Sequence, residues 1–159
     1  MKVLFSLITA FMLFFLQSGL ESLRESYAKA SSSNANTEAF ISLAEKTSGS
    51  DAAIQGYKAA AQIMEAKISK NNRKALVKSG ATNLEAVIKS NPNNAELRLI
   101  RMSVQENIPK IVGYRGSLKD DKVFLINNYS KQNSALKSYI KKFAAQSKTM
   151  TETEKLNFK

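Results

Sequence analysis

The side chains that most often act in catalysis are missing from this chain. It contains no histidine and no cysteine, which removes the commonest general base, the commonest metal ligand and the thiol nucleophile. Serine precedes lysine by three residues in three places, a spacing that a serine nucleophile and a lysine base use on a helix: Ser26/Lys29, Ser134/Lys137 and Ser138/Lys141. Both residues are so abundant that such pairs arise by chance, and no companion motif accompanies them. The sequence therefore predicts a protein without enzymatic activity, and it offers no motif for a cofactor or a metal.

One polar row remains as a candidate site. In the stretch NAELRLIRMSVQENIPKIVGY (94–114), Arg98, Arg101 and Gln105 follow one another at steps of three and four residues, so they share one flank of a helix. Guanidinium groups one turn apart can bind a single acidic group through several charge-assisted hydrogen bonds. The row therefore predicts a partner-binding site for an anion or a peptide carboxylate.

A structural interpretation explains the same row without a ligand. The two arginines can pair with Glu65, Glu85 or Glu106 on packed helices and fix the angles between them. The acidic pair Asp120–Asp121 is assigned to the first turn of a later helix, where negative charge favours the helix dipole. The structural interpretation is the favoured one, and the partner-binding interpretation stays open.

The elements that position this row are predicted to be helices. Apolar residues recur at steps of three and four along the chain, and the strict alternation typical of strands is absent. On the helix of the polar row, the residues that share the apolar face are Leu97, Ile100, Val104 and Ile108, widened by Leu99, Met102 and Ile111. The clearest apolar stripe precedes that helix, at Ile54, Tyr57, Ala61, Met64 and Ile68.

Helix boundaries are predicted from capping and breaking residues. Thr37 and Ser50 are expected to cap two early helices, and Asn94 to cap the helix of the polar row. Asn91–Pro92 ends the preceding helix, because the residue before a proline is pushed out of the helical conformation. Further helices and a terminal turn are predicted at 21–30, 118–129, 134–146 and 151–158. The expected fold is all-α, a single domain of about six to seven helices in antiparallel pairs.

Two resemblances support this fold. Gly56 and Gly80 are small residues at a predicted helix crossing. With the closing sequence SNPNNAELR, they make residues 51–108 resemble a degenerate tetratricopeptide-type helix pair, whose second helix commonly closes on a proline with an Asn/Asp-rich turn. The longer pattern GYKAAAQIMEAK … NLEAVIKSNPNNAELRLIRMSVQENIPKIVGY … DDKVFLI resembles a group of small, exported, all-helical proteins of Gram-negative bacteria with no assigned activity. The resemblances imply a helical fold and an exported protein, and they transfer no catalytic residue.

The first residues predict export. MKVLFSLITAFMLFFLQSGLES has one lysine, then a mostly apolar run over 3–16, then small and polar residues, which is the order of a secretory signal peptide. The apolar run is shorter than the roughly 20 residues that span a bilayer as a helix. The sequence predicts a signal peptide over 1–20, a single helical domain over 21–159 and a periplasmic location. An uncleaved N-terminal membrane anchor is the alternative.

The charge distribution limits the choice of partner. The formal net charge is +11, and residues 94–159 hold 13 Lys/Arg against 6 Asp/Glu. Export places the basic surface out of reach of nucleic acid, which is therefore excluded as a partner. The predicted function is that of a non-catalytic binding or scaffold protein that holds an envelope protein or peptide in a groove between helices. The alternative is docking on anionic lipid or envelope polysaccharide through the basic second half.

Overall fold

The computed structural model describes residues 19–159, and all regular secondary structure within them is helical, which confirms the all-α prediction. Eight α-helices follow one another in this described part: α1 over 19–30, α2 Asn34–Lys46, α3 Ala52–Ile68, α4 Arg73–Ser90, α5 Ala95–Asn107, α6 Leu118–Asn128, α7 Ser134–Gln146 and α8 Glu152–Lys155. Short 3-10 turns occupy Lys110–Val112, Tyr129–Lys131 and Leu156–Phe158. The helix count exceeds the predicted six to seven because a capping box between Thr151 and Glu154 starts a short helix within the predicted terminal turn.

The predicted signal peptide lies outside the described residues, apart from residues 19 and 20, which are part of α1. Leu23 of α1 is fully buried, and Tyr27 packs against Phe40 with ring centroids 5.1 Å apart. The ring of Tyr57 on α3 lies 5.4 Å from Tyr27, so α1 contributes to the same core as α2 and α3. Between residues 19 and 159, no helix combines the length and the apolarity that crossing a bilayer requires.

Two capping predictions are wrong. Ser33 caps α2, and Thr37 lies buried inside the helix, where its hydroxyl donates a hydrogen bond to the carbonyl oxygen of Ala30 (2.7 Å). Asp51, rather than Ser50, caps α3, because its carboxylate accepts from the backbone N–H groups of two residues in the first turn. In both cases the side chain of another polar residue, and not that of the predicted one, accepts a hydrogen bond from the free backbone N–H groups of the first turn.

Helix α5 lies between two hydrophobic clusters. Ile100 is buried with residues of α1 to α4 in the first cluster, and Met102 is buried with Leu125 and Ile140 in the second. A helix that is covered on several sides is expected to be apolar all round. Helix α5 departs from this pattern, since Glu96, Arg101, Gln105 and Glu106 are buried in it as well.

The two ends of α5 compare differently with the prediction. Asn94 caps the helix as predicted, and its side chain accepts from the N–H of Leu97 (3.1 Å). The helix ends at Asn107, but Ile111 does not widen its apolar face as predicted. Pro109 redirects the chain into a 3-10 turn, and Ile111 is 96% exposed.

The α3–α4 pair is held close by a glycine. A Cβ atom placed on Gly80 of α4 would lie 2.8 Å from the carbonyl oxygen of Ala59 and 2.9 Å from the backbone nitrogen of Ile63 on α3. These are backbone atoms, which cannot rotate away as side-chain ends can. The predicted close approach at Gly80 is therefore confirmed.

We expect Gly80→Ala to destabilise the protein although alanine is the better helix former. The added methyl group overpacks the crossing at a cost of about 1–3 kcal/mol, against a gain of about 1 kcal/mol in helix propensity. Chemical denaturation followed by circular dichroism measures the difference. Gly116→Ala is the control, because no atom lies within 4 Å of the added Cβ there. A Gly80→Ala protein as stable as the parent would show that overpacking at the crossing costs no more than the gain in helix propensity, about 1 kcal/mol.

Candidate functional site

All three guanidinium nitrogens of Arg101 donate hydrogen bonds to carboxylates of this chain. Its Nε and Nη2 donate to the two carboxylate oxygens of Asp121, each at 2.7 Å, and its Nη1 donates to Glu85 at 2.5 Å. The side chain of Arg101 is 7% exposed and that of Asp121 is wholly buried. Helix α5 thus connects to α6 through Asp121 and to α4 through Glu85.

The electrostatics of this cluster favour the charged guanidinium. Burial alone lowers the pKa of Arg101, but hydrogen bonds and attraction from Asp121 and Glu85 raise it overall above the ordinary value. The Tyr114 hydroxyl donates to the second oxygen of Glu85 at 2.6 Å, and burial, followed by this bond, raises the pKa of Tyr114. The guanidinium of Arg101 therefore stays charged throughout the physiological range.

Arg98 makes looser contacts on the same flank. Its Nη1 lies 3.2 Å from Asp121, its Nη2 donates to the carbonyl oxygen of Pro92 at 3.1 Å, and its guanidinium carbon lies 5.1 Å from the ring centroid of Phe124. The Nε of Arg98 is buried without a hydrogen-bond partner. Arg98 therefore adds a second cation to Asp121 with a less complete set of bonds.

Gln105 completes the row at the other end. Its Oε1 accepts from the backbone N–H of Ser117 at 3.1 Å, just before α6 begins, and the residue is 1% exposed. The structure therefore brings Arg98, Arg101 and Gln105 together as predicted from their spacing, and all three contact groups of this chain. These contacts favour the structural interpretation, while the partner-binding role of the three residues stays a prediction.

The partners of the row were only partly foreseen. Glu85 contacts Arg101, as one of the three expected acids, whereas Glu65 forms no ion pair within residues 19–159. Glu106 accepts from the hydroxyl of Ser147 and the N–H of Thr149 instead. The main partner is Asp121, which the sequence suggested only as a first-turn acid. Nothing in the local pattern shows that its side chain turns toward α5.

A second buried ion pair had no signal in the sequence. Arg24 of α1 donates from Nε and Nη2 to both oxygens of Glu96 on α5, at 2.7 and 2.6 Å, and the Tyr57 hydroxyl donates to Glu96 at 2.9 Å. Burial raises the pKa of Tyr57 well above its ordinary value, with Tyr139 and Glu96 adding to the shift. Glu96 resembles an ordinary first-turn acid in the sequence, so only the fold reveals the pair.

A groove opens between α1, α5 and α7, directly beside this second pair. Its volume is about 510 Å³, within the usual range for ligand sites. Its apolar lining includes Ala28, Leu99, Tyr139 and Phe143, and its charged lining includes Glu25, Arg24, Lys142 and Lys148. The groove can therefore accept apolar groups together with charges of both signs.

Another groove, of about 620 Å³, lies over α2, α3 and α4. Its lining is more polar and includes Lys58, Gln62, Glu65 and Asn83, with Gln62 and Asn83 hydrogen-bonded to each other at 2.7 Å. It offers fewer apolar contacts than the groove between α1, α5 and α7, which is therefore the stronger candidate site.

Within the part of the chain that the structure describes, no group of three or more acidic side chains is arranged to hold a metal ion. No protein-family model, no curated protein and no solved structure matches the chain.

Proposed function

We propose that this chain is an exported, non-catalytic binding protein that holds a peptide or a protein segment of the cell envelope in the groove between α1, α5 and α7. The observation that carries the proposal is the lining of the groove. Aromatic and aliphatic side chains occur there together with charges of both signs, a combination that suits a peptide with mixed side chains. Export and the envelope location rest on the order of charged, apolar and small residues over 1–22.

The walls of the groove are well supported. Arg24 in its lining is fixed by two short bonds to Glu96, and Glu106 is fixed by Ser147 and Thr149. Side chains held in this way lose little conformational freedom when a ligand binds, which favours affinity. By contrast, Arg101 already has carboxylate partners for all its donor atoms, so a ligand at the polar row would have to displace Asp121 or Glu85.

Three variants, each with one alanine replaced by leucine, test the site. Ala28 lines the proposed groove, Ala86 lines the groove over α2, α3 and α4, and Ala145 lines neither; all three are exposed on helices. Replacement by leucine fills space at each position and keeps helix propensity nearly constant. We expect Ala28→Leu to abolish capture of the partner from an envelope extract, and Ala86→Leu and Ala145→Leu to retain it.

The salt dependence of capture separates this proposal from docking through basic charge alone. A contact in a partly apolar groove should survive a high-salt wash, whereas a contact between exposed charges weakens steeply. Loss of capture in Ala86→Leu but not in Ala28→Leu would move the site to the other groove. Capture that is unaffected by all three variants and lost at high salt would exclude both grooves and replace the proposal with docking through basic charge alone.

A further inference from the structure

The turn that follows α5 presents apolar side chains to solvent. Ile111 is 96% exposed and Val112 is 40% exposed, next to each other in the 3-10 turn; we call these two residues the apolar tip. Single exposed apolar residues are common on protein surfaces. Ile111 and Val112 are adjacent, however, and grouped exposed apolar side chains are a feature of sites that contact a protein or a membrane.

The apolar tip is held in place by its own turn. The N–H of Val112 donates to the carbonyl oxygen of Pro109 at 3.0 Å, and the N–H of Gly113 donates to that of Lys110 at 3.1 Å. Gly113 has φ 78°, a left-handed conformation that glycine adopts without strain and that turns the chain back. The exposure of Ile111 is therefore built into the turn.

The base of the turn is fixed to the rest of the protein. Arg115 donates from Nη1 to the carbonyl oxygen of Ile108 at 2.9 Å, and the Tyr114 hydroxyl donates to Glu85 at 2.6 Å. Lys148, which follows α7, donates to the side-chain oxygen of Asn107 at 2.9 Å. The turn is thus connected to α4, to α5 and to the segment after α7.

The charged residues of the segment that carries the apolar tip all have one sign. Residues 107–119 contain Lys110, Arg115 and Lys119 and no acidic residue, and Lys148 lies beside Asn107. Two aliphatic side chains are too small an area for a stable protein interface, which buries about 800 Å² on each partner. They are sufficient for shallow insertion into a bilayer when cations beside them contact anionic headgroups.

We propose that the apolar tip docks this protein on an anionic lipid bilayer, with Ile111 and Val112 among the headgroups and Lys110 beside the lipid phosphates. Ile111 and Val112 are not part of the groove between α1, α5 and α7, although Asn107 and Lys148 at the base of the turn line that groove. A bound partner in that groove would consequently be held close to the membrane surface.

The absence of tryptophan from the chain allows a local test. Ile111→Trp places a single fluorophore in the apolar tip, and Leu156→Trp places one at another exposed apolar residue (57% exposed). With vesicles of phosphatidylcholine and phosphatidylglycerol, we expect the emission of Ile111→Trp to shift to shorter wavelength and that of Leu156→Trp to stay constant. With phosphatidylcholine alone neither should shift. Emission of Ile111→Trp that is unchanged by the anionic vesicles would overturn the proposal.

Sedimentation with the same vesicles measures the affinity without a reporter. Ile111→Ser should weaken binding to the vesicles about tenfold or more, as expected for removing one aliphatic side chain that is buried in the bilayer. Lys110→Gln should weaken it about fivefold, because one cation near the headgroups is lost. Leu156→Ser is the matched control and should bind like the parent. The side chain of Ile111 is almost fully exposed, so its replacement should leave folding and groove binding intact. If Ile111→Ser binds vesicles as well as the parent does, the apolar tip has no role in docking and the proposal fails.

Discussion

Replacing Arg101 by methionine should lower the free energy of unfolding by about 3–5 kcal/mol, since this leaves the wholly buried Asp121 without its bidentate partner. In a domain of this size the melting temperature should fall by roughly 10 °C or more. Arg98→Met should cost only about 1–2 kcal/mol, because Arg98 is farther from Asp121, at 3.2 Å, and more exposed. Thermal melting followed by circular dichroism gives both values.

A double variant separates two costs: the lost attraction between Arg101 and Asp121, and the burial of Asp121 without a partner. Arg101→Met combined with Asp121→Leu removes both members of the pair and should recover most of the stability, since replacing a buried ion pair by apolar residues is often neutral or favourable. The partner-binding interpretation makes the opposite prediction for the single variant. An Arg101→Met protein that melts like the parent but no longer captures its envelope partner would make the polar row a binding site.

Alkaline pH should unfold the protein through its tyrosines. Burial raises the pKa of Tyr27 to about 12, and burial likewise raises the pKa values of Tyr57, Tyr114 and Tyr139. In the unfolded chain these phenols ionise at their ordinary pKa of 10.0. Their protonated forms therefore stabilise the fold fully below pH 10, and this stabilisation is lost as the pH rises through 10 toward the folded-state values. Tyr27 alone accounts for about 3 kcal/mol.

Absorbance of tyrosinate and helical circular dichroism, recorded together over an alkaline titration, measure this effect. We expect most of the phenols to ionise above pH 10 in the same narrow transition in which the helices are lost. Tyr27→Phe removes one ionising group while keeping the ring packed near Phe40 and Tyr57. It should shift the transition to higher pH. Phenols that all titrate near pH 10 in a folded protein would contradict the buried placement of these side chains.

The sequence predicts the helices better than it predicts which residues contact each other. The boundaries of α7 and the capping role of Asn94 are local properties, and both were found as predicted. Gly80 could be assigned to a close crossing because only a small residue permits one. Ile111 was misplaced because its spacing continues the stripe of α5, whereas Pro109 diverts the backbone before the stripe can reach it.

The candidate site depends on long-range contacts that no local pattern encodes. Glu96 and Asp121 both have the sequence signature of a first-turn acid, which interacts with its own helix dipole. Each instead accepts bidentate bonds from an arginine on another helix, 72 and 20 residues away in the chain. Which acid turns inward is decided by how α1, α5 and α6 pack, so the groove and its supporting bonds could be found only from the fold.

The buried charges of α5 also determine its register. Glu96, Arg101 and Glu106 are evenly spaced along the helix, and each is bonded to a different part of the chain: α1, α4 with α6, and the segment after α7. A purely apolar helix could slide along its axis and still bury hydrophobic surface. A slide of α5 by one turn, about 5.4 Å, would break all three sets of bonds at once. Misaligned packing of α5 is therefore disfavoured over the whole length of the helix.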